Sequence, residues 1–411
     1  MSLPSLDQPA PLLGGLSPDQ FMRRHWQRKP LLIRQALADW RSPVTPTALR
    51  RLAGNDDVES RLVWREQGEW RMASGPFLPP GRSQGKSPLG DRQAEGEAWD
   101  SSPCRLPRAN QPDWTLLVQG VDLFDERIAA LRDRFRFIPD ARLDDAMISL
   151  ASQGGGVGPH FDSYDVFLLQ ARGRRRWQVS QQRDLSLRPD LPLKVLANFT
   201  PEAEYVLEPG DMLYLPPHVA HDGVAETDDC MTISIGFRSP SQAELARLVL
   251  DLAAERLLDD EMAGKRAGRY RDPGQPATLT PAALPERLCQ AARNEVARLR
   301  FDDALVADAL GRWLSEPKAG VVFDGPETDV DLINDWPSGT TLILDSRSRL
   351  LYRGKRGYIN GEILGPVMTT DLCRLADERQ LVCAARPPSA GVRELLQDWL
   401  EGGWLHDRRA L

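Results

Sequence analysis

Residues 154–170 read GGGVGPHFDSYDVFLLQ: a glycine run, a proline, a His-x-Asp pair and then an apolar stretch. On an extended strand side chains two apart share a face, so His160 and Asp162 project together, with Tyr164, Val166 and Leu168 beyond them. A second stretch, residues 207–221, reads LEPGDMLYLPPHVAH, a Gly-Asp turn, a short strand, a Pro-Pro stop and then histidine. Two histidines and one carboxylate on one face of β structure, with coordination positions left open, are the donor set of non-haem Fe(II) oxygenases, whose iron must take up a co-substrate and dioxygen. Alone, a His-x-Asp pair would be read as a surface pair. The glycine run before it, and the second histidine behind its turn and prolines, are what argue for a metal.

The chain has only 5 His, so the search for a third ligand is short. His218 directly follows Pro217 and belongs to the turn; His221 begins the next extended segment and is the favoured ligand. His25 and His406 lie in helical surroundings away from any partner and read as ordinary surface or half-buried residues.

Residues 173–179, GRRRWQV, carry a further signal. Alternation puts Arg175, Trp177 and Val179 on one face and Arg174, Arg176 and Gln178 on the other. Arg175 therefore shares the apolar, inward face, where a guanidinium needs an anion and fits a carboxylate in bidentate geometry. Arg174 and Arg176 suit solvent.

Working outward, residues 114–237 hold short apolar or alternating runs between Gly and Pro turns, the spacing of an all-β sandwich or barrel: 115–121, 146–152, 164–170, 175–180, 212–215 and 231–237. Ahead of them, Ser17 caps a short helix that Pro30 stops, 31–33 reads as a buried strand, and 46–53 as helix. Residues 76–112, dense in Gly, Pro, Ser and charge, read as a mobile surface insertion. After Ser239-Pro240 the pattern becomes amphipathic helix, with later runs at 284–299 and 304–314. The last stretch mixes a hairpin pattern (341–344, 349–353, 358–364) with helical runs at 371–376 and 393–399.

With 411 residues, 41% hydrophobic and 27% charged, the chain holds two or three ordinary domains. It offers neither an apolar run long enough to cross a membrane nor a secretory leader, so a cytoplasmic location is expected. Its 5 Cys are scattered and never form a C-x-x-C pair, so a metal site has to rest on His and carboxylate. A net charge of -7 disfavours a general nucleic-acid binder and leaves room for a basic partner.

The stretches 21–35 (FMRRHWQRKPLLIRQ), 144–179 and 207–238 resemble the JmjC-type 2-oxoglutarate oxygenases, and among them the bacterial ribosomal oxygenases that hydroxylate an arginine of a large-subunit ribosomal protein. The resemblance implies an α+β chain in three parts. A JmjC domain at 1–240 has a double-stranded β-helix (jelly-roll, cupin) core at about 114–238; a helical dimerisation module follows at 241–316, and a winged-helix-like domain at 317–411. It places Fe(II) on His160, Asp162 and His221 and the far carboxylate of 2-oxoglutarate on Arg175. Ser149, Thr232 and Ser234 become co-substrate pocket residues, although small hydroxyl side chains in strands are often plain ladder partners. Tyr164 lines the substrate channel, or else simply the core. The implied partners are O2, a basic ribosomal protein as substrate and a second copy of the chain. DNA is not among them, since residues 301–411 hold 13 Lys and Arg against 18 Asp and Glu. The sequence departs from the family pattern in the insertion at 76–112. A methyl-lysine demethylase or histidyl hydroxylase would share the iron site, a tRNA-base hydroxylase would need a basic groove, and a non-enzymatic cupin-like binder would have no use for Arg175.

Overall fold

A computed structural model describes residues 5–79, 104–108, 111–264, 269–325, 331–365 and 367–407. The strands of the first part are β1 (Leu31–Ile33), β2 (Ser60–Glu66), β3 (Glu69–Ser74), β4 (Trp114–Val118), β5 (Leu143–Ala151), β6 (Asp165–Arg172), β7 (Arg175–Ser180), β8 (Ala203–Leu207), β9 (Met212–Leu215), β10 (Ala220–Ala225) and β11 (Cys230–Phe237). Three short helices accompany them: α1 (Pro18–Arg24), α2 (Pro46–Leu52) and α3 (Glu126–Arg132). Eight strands make one antiparallel sheet in the order β1-β9-β6-β11-β5-β4-β2-β3, and three make a second, β10-β7-β8.

The register of β11 explains why its residues are all buried. Met231, Ile233, Ile235 and Phe237 enter a large core with Ile148, Leu150, Phe167, Leu169 and Phe21. Side chains of the opposite parity turn inward with Val166, Leu168, Trp177, Val179 and Leu213, which form the barrel's own smaller core. Thr232 stands opposite Ser149 and Gln170, and Ser234 opposite Met147 and Leu168. The inner wall therefore becomes polar towards the middle of the sheet.

The Gly-Asp turn ties the sheet edge. Asp211 accepts from Gln35 N at 3.0 Å, Glu208 N at 3.1 Å and Arg34 Nη1 at 2.6 Å, which fixes β1 against the start of β9. Ser17 caps α1 with a full capping box, as the sequence indicates.

Five expectations need correction; the first is His406, which lies in the strand Leu405–Asp407 with its Nε2 2.8 Å from Asp345 Oδ2 instead of in helical surroundings away from a partner. The His-x-Asp pair precedes β6, which starts at Asp165; His160 sits in a single bridge to His221. Most of 76–112 lies outside the described residues, but its ends are packed: Phe77 and Leu106 are core residues, and Leu78 and Arg105 form a parallel bridge. Strands β2, β3 and β8 carry no clean alternating signal and were not expected. Finally, Thr341–Leu344 does not join a hairpin with the segments that follow it, but pairs with two later strands.

The chain divides into two compact units. One comprises residues 1–239, 318–347 and 377–411, the other 240–317 and 348–376. The later elements are α4 (Gln242–Met262), α5 (Glu286–Val296), α6 (Asp303–Ser315), β12 (Thr341–Leu344), β13 (Leu350–Arg353), β14 (Arg356–Ile359), β15 (Glu362–Gly365), α7 (Thr370–Glu378), β16 (Gln380–Val382), α8 (Ala390–Glu401) and β17 (Leu405–Asp407). In the first unit β16, β12 and β17 form a sheet; in the second, β13, β14 and β15 form another. Buried Asp308 of α6 organises the second unit, with Arg256, Arg356 and the Tyr358 hydroxyl all donating to it.

Candidate metal centre

The glycine run reaches the site by close backbone packing. A side chain at Gly155 would meet the Trp114 carbonyl oxygen at 2.2 Å, and one at Gly156 the Gly223 carbonyl at 2.7 Å. Only glycine lets this segment lie across β4 and β10 and deliver His160 to its partner. There His160 N donates to His221 O at 2.9 Å and His221 N donates back at 2.8 Å, coupling the two histidine-bearing segments.

Both imidazoles are oriented from behind. His160 Nδ1 meets Gly158 O at 2.9 Å and His221 Nδ1 meets Val219 O at 2.9 Å. A carbonyl only accepts, so each Nδ1 carries the proton and each Nε2 is left as a lone-pair donor. The two rings lie 4.2 Å apart by centroid, and His221 Nε2 is 3.8 Å from Asp162 Oδ2. One ligand atom from each of His160, Asp162 and His221 falls within 4.8 Å of the other two, the grouping expected from the sequence. Burial, and then the neighbouring His160, pull the His221 imidazole down to about 4, so it is neutral near pH 7. His218 takes a different part. Its backbone has φ 63°, its N–H donates to Asp162 O at 2.7 Å, and it steadies the Asp162 loop from outside the donor group.

Arg175 is 4% exposed and faces inward from β7. Its Nη1 makes a long bond of 3.4 Å to Gly223 O, while Nε and Nη2 are buried without a partner. Arg175 forms no ion pair among the described residues, an unusual condition for a buried guanidinium. The indole N–H of Trp177 and the Thr115 hydroxyl are buried and unpartnered as well, and by strand parity face the same interior.

Ser149, Thr232 and Ser234 are buried on the inner wall. Thr232 already donates to Gln170 Oε1 at 3.2 Å, so its hydroxyl is engaged as a ladder partner. Tyr164 is 40% exposed at the rim; burial and the nearby carboxylates of Asp162 and Asp145 raise its pKa. Asp145 was not singled out in the sequence. It shares the inner face of β5 with Met147 and Ser149, and a methyl group at Gly236 would lie 3.8 Å from its Oδ1 and 3.9 Å from Tyr164 Cε2. The alternation in DDAMISLA was the available signal.

Residues 130–245 match the JmjC domain and residues 298–406 the ROXA-like winged helix. The ribosomal protein uL16 3-hydroxylase of Escherichia coli (strain K12) is 32% identical over 348 residues, 83% of this chain and 84% of that protein. The chain belongs to the JmjC ribosomal oxygenases. A second ribosomal oxygenase, the probable one of Haemophilus influenzae, is 29% identical over 95% of this chain and 96% of its own length. The structure of YcfD, a ribosomal oxygenase from Escherichia coli in complex with cobalt and 2-oxoglutarate, aligns with a TM-score of 0.70 at 30% identity, covering 95% of this chain and 98% of that one. In this chain a cupin-like β core is followed by helices and a winged helix.

Proposed function

We propose that this ribosomal oxygenase is an Fe(II)- and 2-oxoglutarate-dependent hydroxylase acting on an arginine of the large-subunit ribosomal protein uL16. The observation that carries the reading is the inward guanidinium of Arg175, with two N–H donors unmet, in the same β core as the three converging donors. The donor set fits a divalent iron, and the unmet guanidinium fits one end of a dicarboxylate. A structural metal site or a cupin-like binding protein would have no use for that cation.

With iron bound, the site supplies hydroxylation by O2: one oxygen atom enters a substrate C–H bond, and the other enters succinate as 2-oxoglutarate loses CO2. The protein's share is placement. His160, Asp162 and His221 would hold the metal. Arg175 grips the far carboxylate, with Thr115 and Trp177 able to donate beside it. Ser149 and Ser234 line the same pocket. At the rim, Asp145 and Tyr164 offer an anion and an aromatic face, a combination that suits a guanidinium.

The net charge of -7 favours encounter with a basic ribosomal protein. The winged helix carries an acidic balance, so DNA is not its partner. No described helix is long and apolar enough to cross a membrane, and the reading places the enzyme in the cytoplasm with ribosomal protein. Its working form is a homodimer joined through the helical module of residues 241–316, between the oxygenase domain (1–240) and the C-terminal domain (317–411).

The test is incubation of the purified enzyme with Fe(II), 2-oxoglutarate and its host's uL16, read by mass spectrometry and by succinate. One added oxygen on one arginine is expected, lost in H221A and kept in H218N; no oxygen on uL16 overturns the reading.

A further inference from the structure

The rim carboxylate Asp145 is 7% exposed, yet the cation that serves it comes from far along the chain. Lys318 places Nζ 2.8 Å from Asp145 Oδ2 and 3.3 Å from Asp144 Oδ1. The same Oδ2 accepts from Gly120 N at 3.0 Å. Oδ2 is thus held twice, and the other oxygen, Oδ1, is the one that faces Gly236, where a methyl group would also meet the Tyr164 ring. Nearby charges are committed elsewhere: Asp122 takes Arg132 at 2.6 Å and Ala146 N at 2.8 Å, and Asp144 takes Arg238 at 3.4 Å.

We infer that Lys318 is a positioning residue for substrate recognition: its ammonium holds Asp145 by Oδ2 so that Oδ1 is presented, beside Tyr164, to the guanidinium of the substrate. The inference rests on the function proposed above. An ammonium is a compact point charge that can bridge Asp144 and Asp145 from one side while leaving a second Asp145 oxygen open. Burial raises the Asp145 carboxyl above the usual carboxylate range, and the Lys318 ammonium offsets part of that rise. Fixing the rotamer in advance also removes an ordering cost from substrate binding.

The test uses the full-length enzyme with an arginine-containing uL16 peptide, comparing wild type, K318M and K318R. Expected for K318M is a peptide KM raised roughly thirtyfold, with peptide-free succinate formation and the KM for 2-oxoglutarate unchanged, and return to within a few-fold of wild type in K318R. An unchanged peptide KM overturns the inference, and so does a lowered one, which would make Lys318 a competitor of the substrate. A loss of peptide-free turnover together with a lowered Tm, not restored in K318R, overturns it in favour of a purely structural pin. Failure of the wild type to oxidise any uL16 peptide falls on the proposed function instead.

Discussion

At the scale of single residues, Arg175 is the group whose state most separates the free protein from a loaded one. A buried guanidinium with two unmet N–H donors costs the free protein stability, because its desolvation is only partly compensated. Replacing it with an apolar side chain of similar length removes that cost and the co-substrate grip together. R175M is therefore expected to melt above wild type when free, yet to show a KM for 2-oxoglutarate raised roughly a hundredfold. In calorimetry, 2-oxoglutarate with a redox-inert metal should raise the Tm of wild type and not of R175M. A variant that melts lower when free, or still responds to 2-oxoglutarate, would show that Arg175 is satisfied in another way. The same contrast explains what was legible. His160, Asp162, His221 and Arg175 announce themselves through local spacing, since each sits within a few residues of a turn or an alternating run. Lys318 does not, because its meaning lies in a contact with a distant segment of chain, and for Asp145 the alternation of its strand gives the face but not that contact.

Among elements, the turn before β9 shows how a loop residue holds a sheet. Asp211 is 3% exposed and anchors Arg34, Gln35 and Glu208 at once. Burial pushes its pKa up, but the Gln35 and Glu208 amides and the Arg34 guanidinium outweigh that and leave it lowered. A carboxylate lowered on folding adds stability above its unfolded pKa and loses it as pH falls through the folded value. D211N should thus be less stable than wild type by about 3 kcal/mol at pH 7, and the gap should narrow below about pH 3.9, read by urea unfolding across that range. A gap independent of pH would mean that lost packing, not charge, is responsible. Such turns made β5, β6, β7, β9 and β11 legible to within a few residues, with α4, α5 and α6 found from their helical period. Strands β2, β3 and β8 escaped because their partners, not their own alternation, define them: β2, for instance, reads SRLVWRE and gains its order from lying between β3 and β4. The H-x-D segment was over-read as strand for the converse reason, since an extended stretch with one bridge obeys the same parity as a ladder.

For the whole molecule, the homodimer proposed above would cover apolar side chains that the helical unit leaves exposed. Helix α5 has 11 residues and buries none of them, although Leu288 and Val296 recur on it at helical spacing. A helix this short is marginal in water without a tertiary surface to cover its apolar stripe. On α4 and in the chain flanking α5, Leu258, Met262, Leu279, Leu284 and Phe301 are all more than half exposed. At roughly 1.5–3 kcal/mol for each such side chain buried, a self-complementary patch of this composition offers on the order of 10 kcal/mol per protomer before association costs. A two-fold partner is the natural cover, because one patch then meets its own copy. The double variant L288D/V296D should place two carboxylates per protomer in that contact and give a monomer in sedimentation, at concentrations where the wild type is a dimer. Its metal site lies in the other compact unit, so the rise in Tm on adding 2-oxoglutarate with metal should survive. A wild type that sediments as a monomer at tens of micromolar would refute the dimer. A variant that stays dimeric would move the interface away from α5.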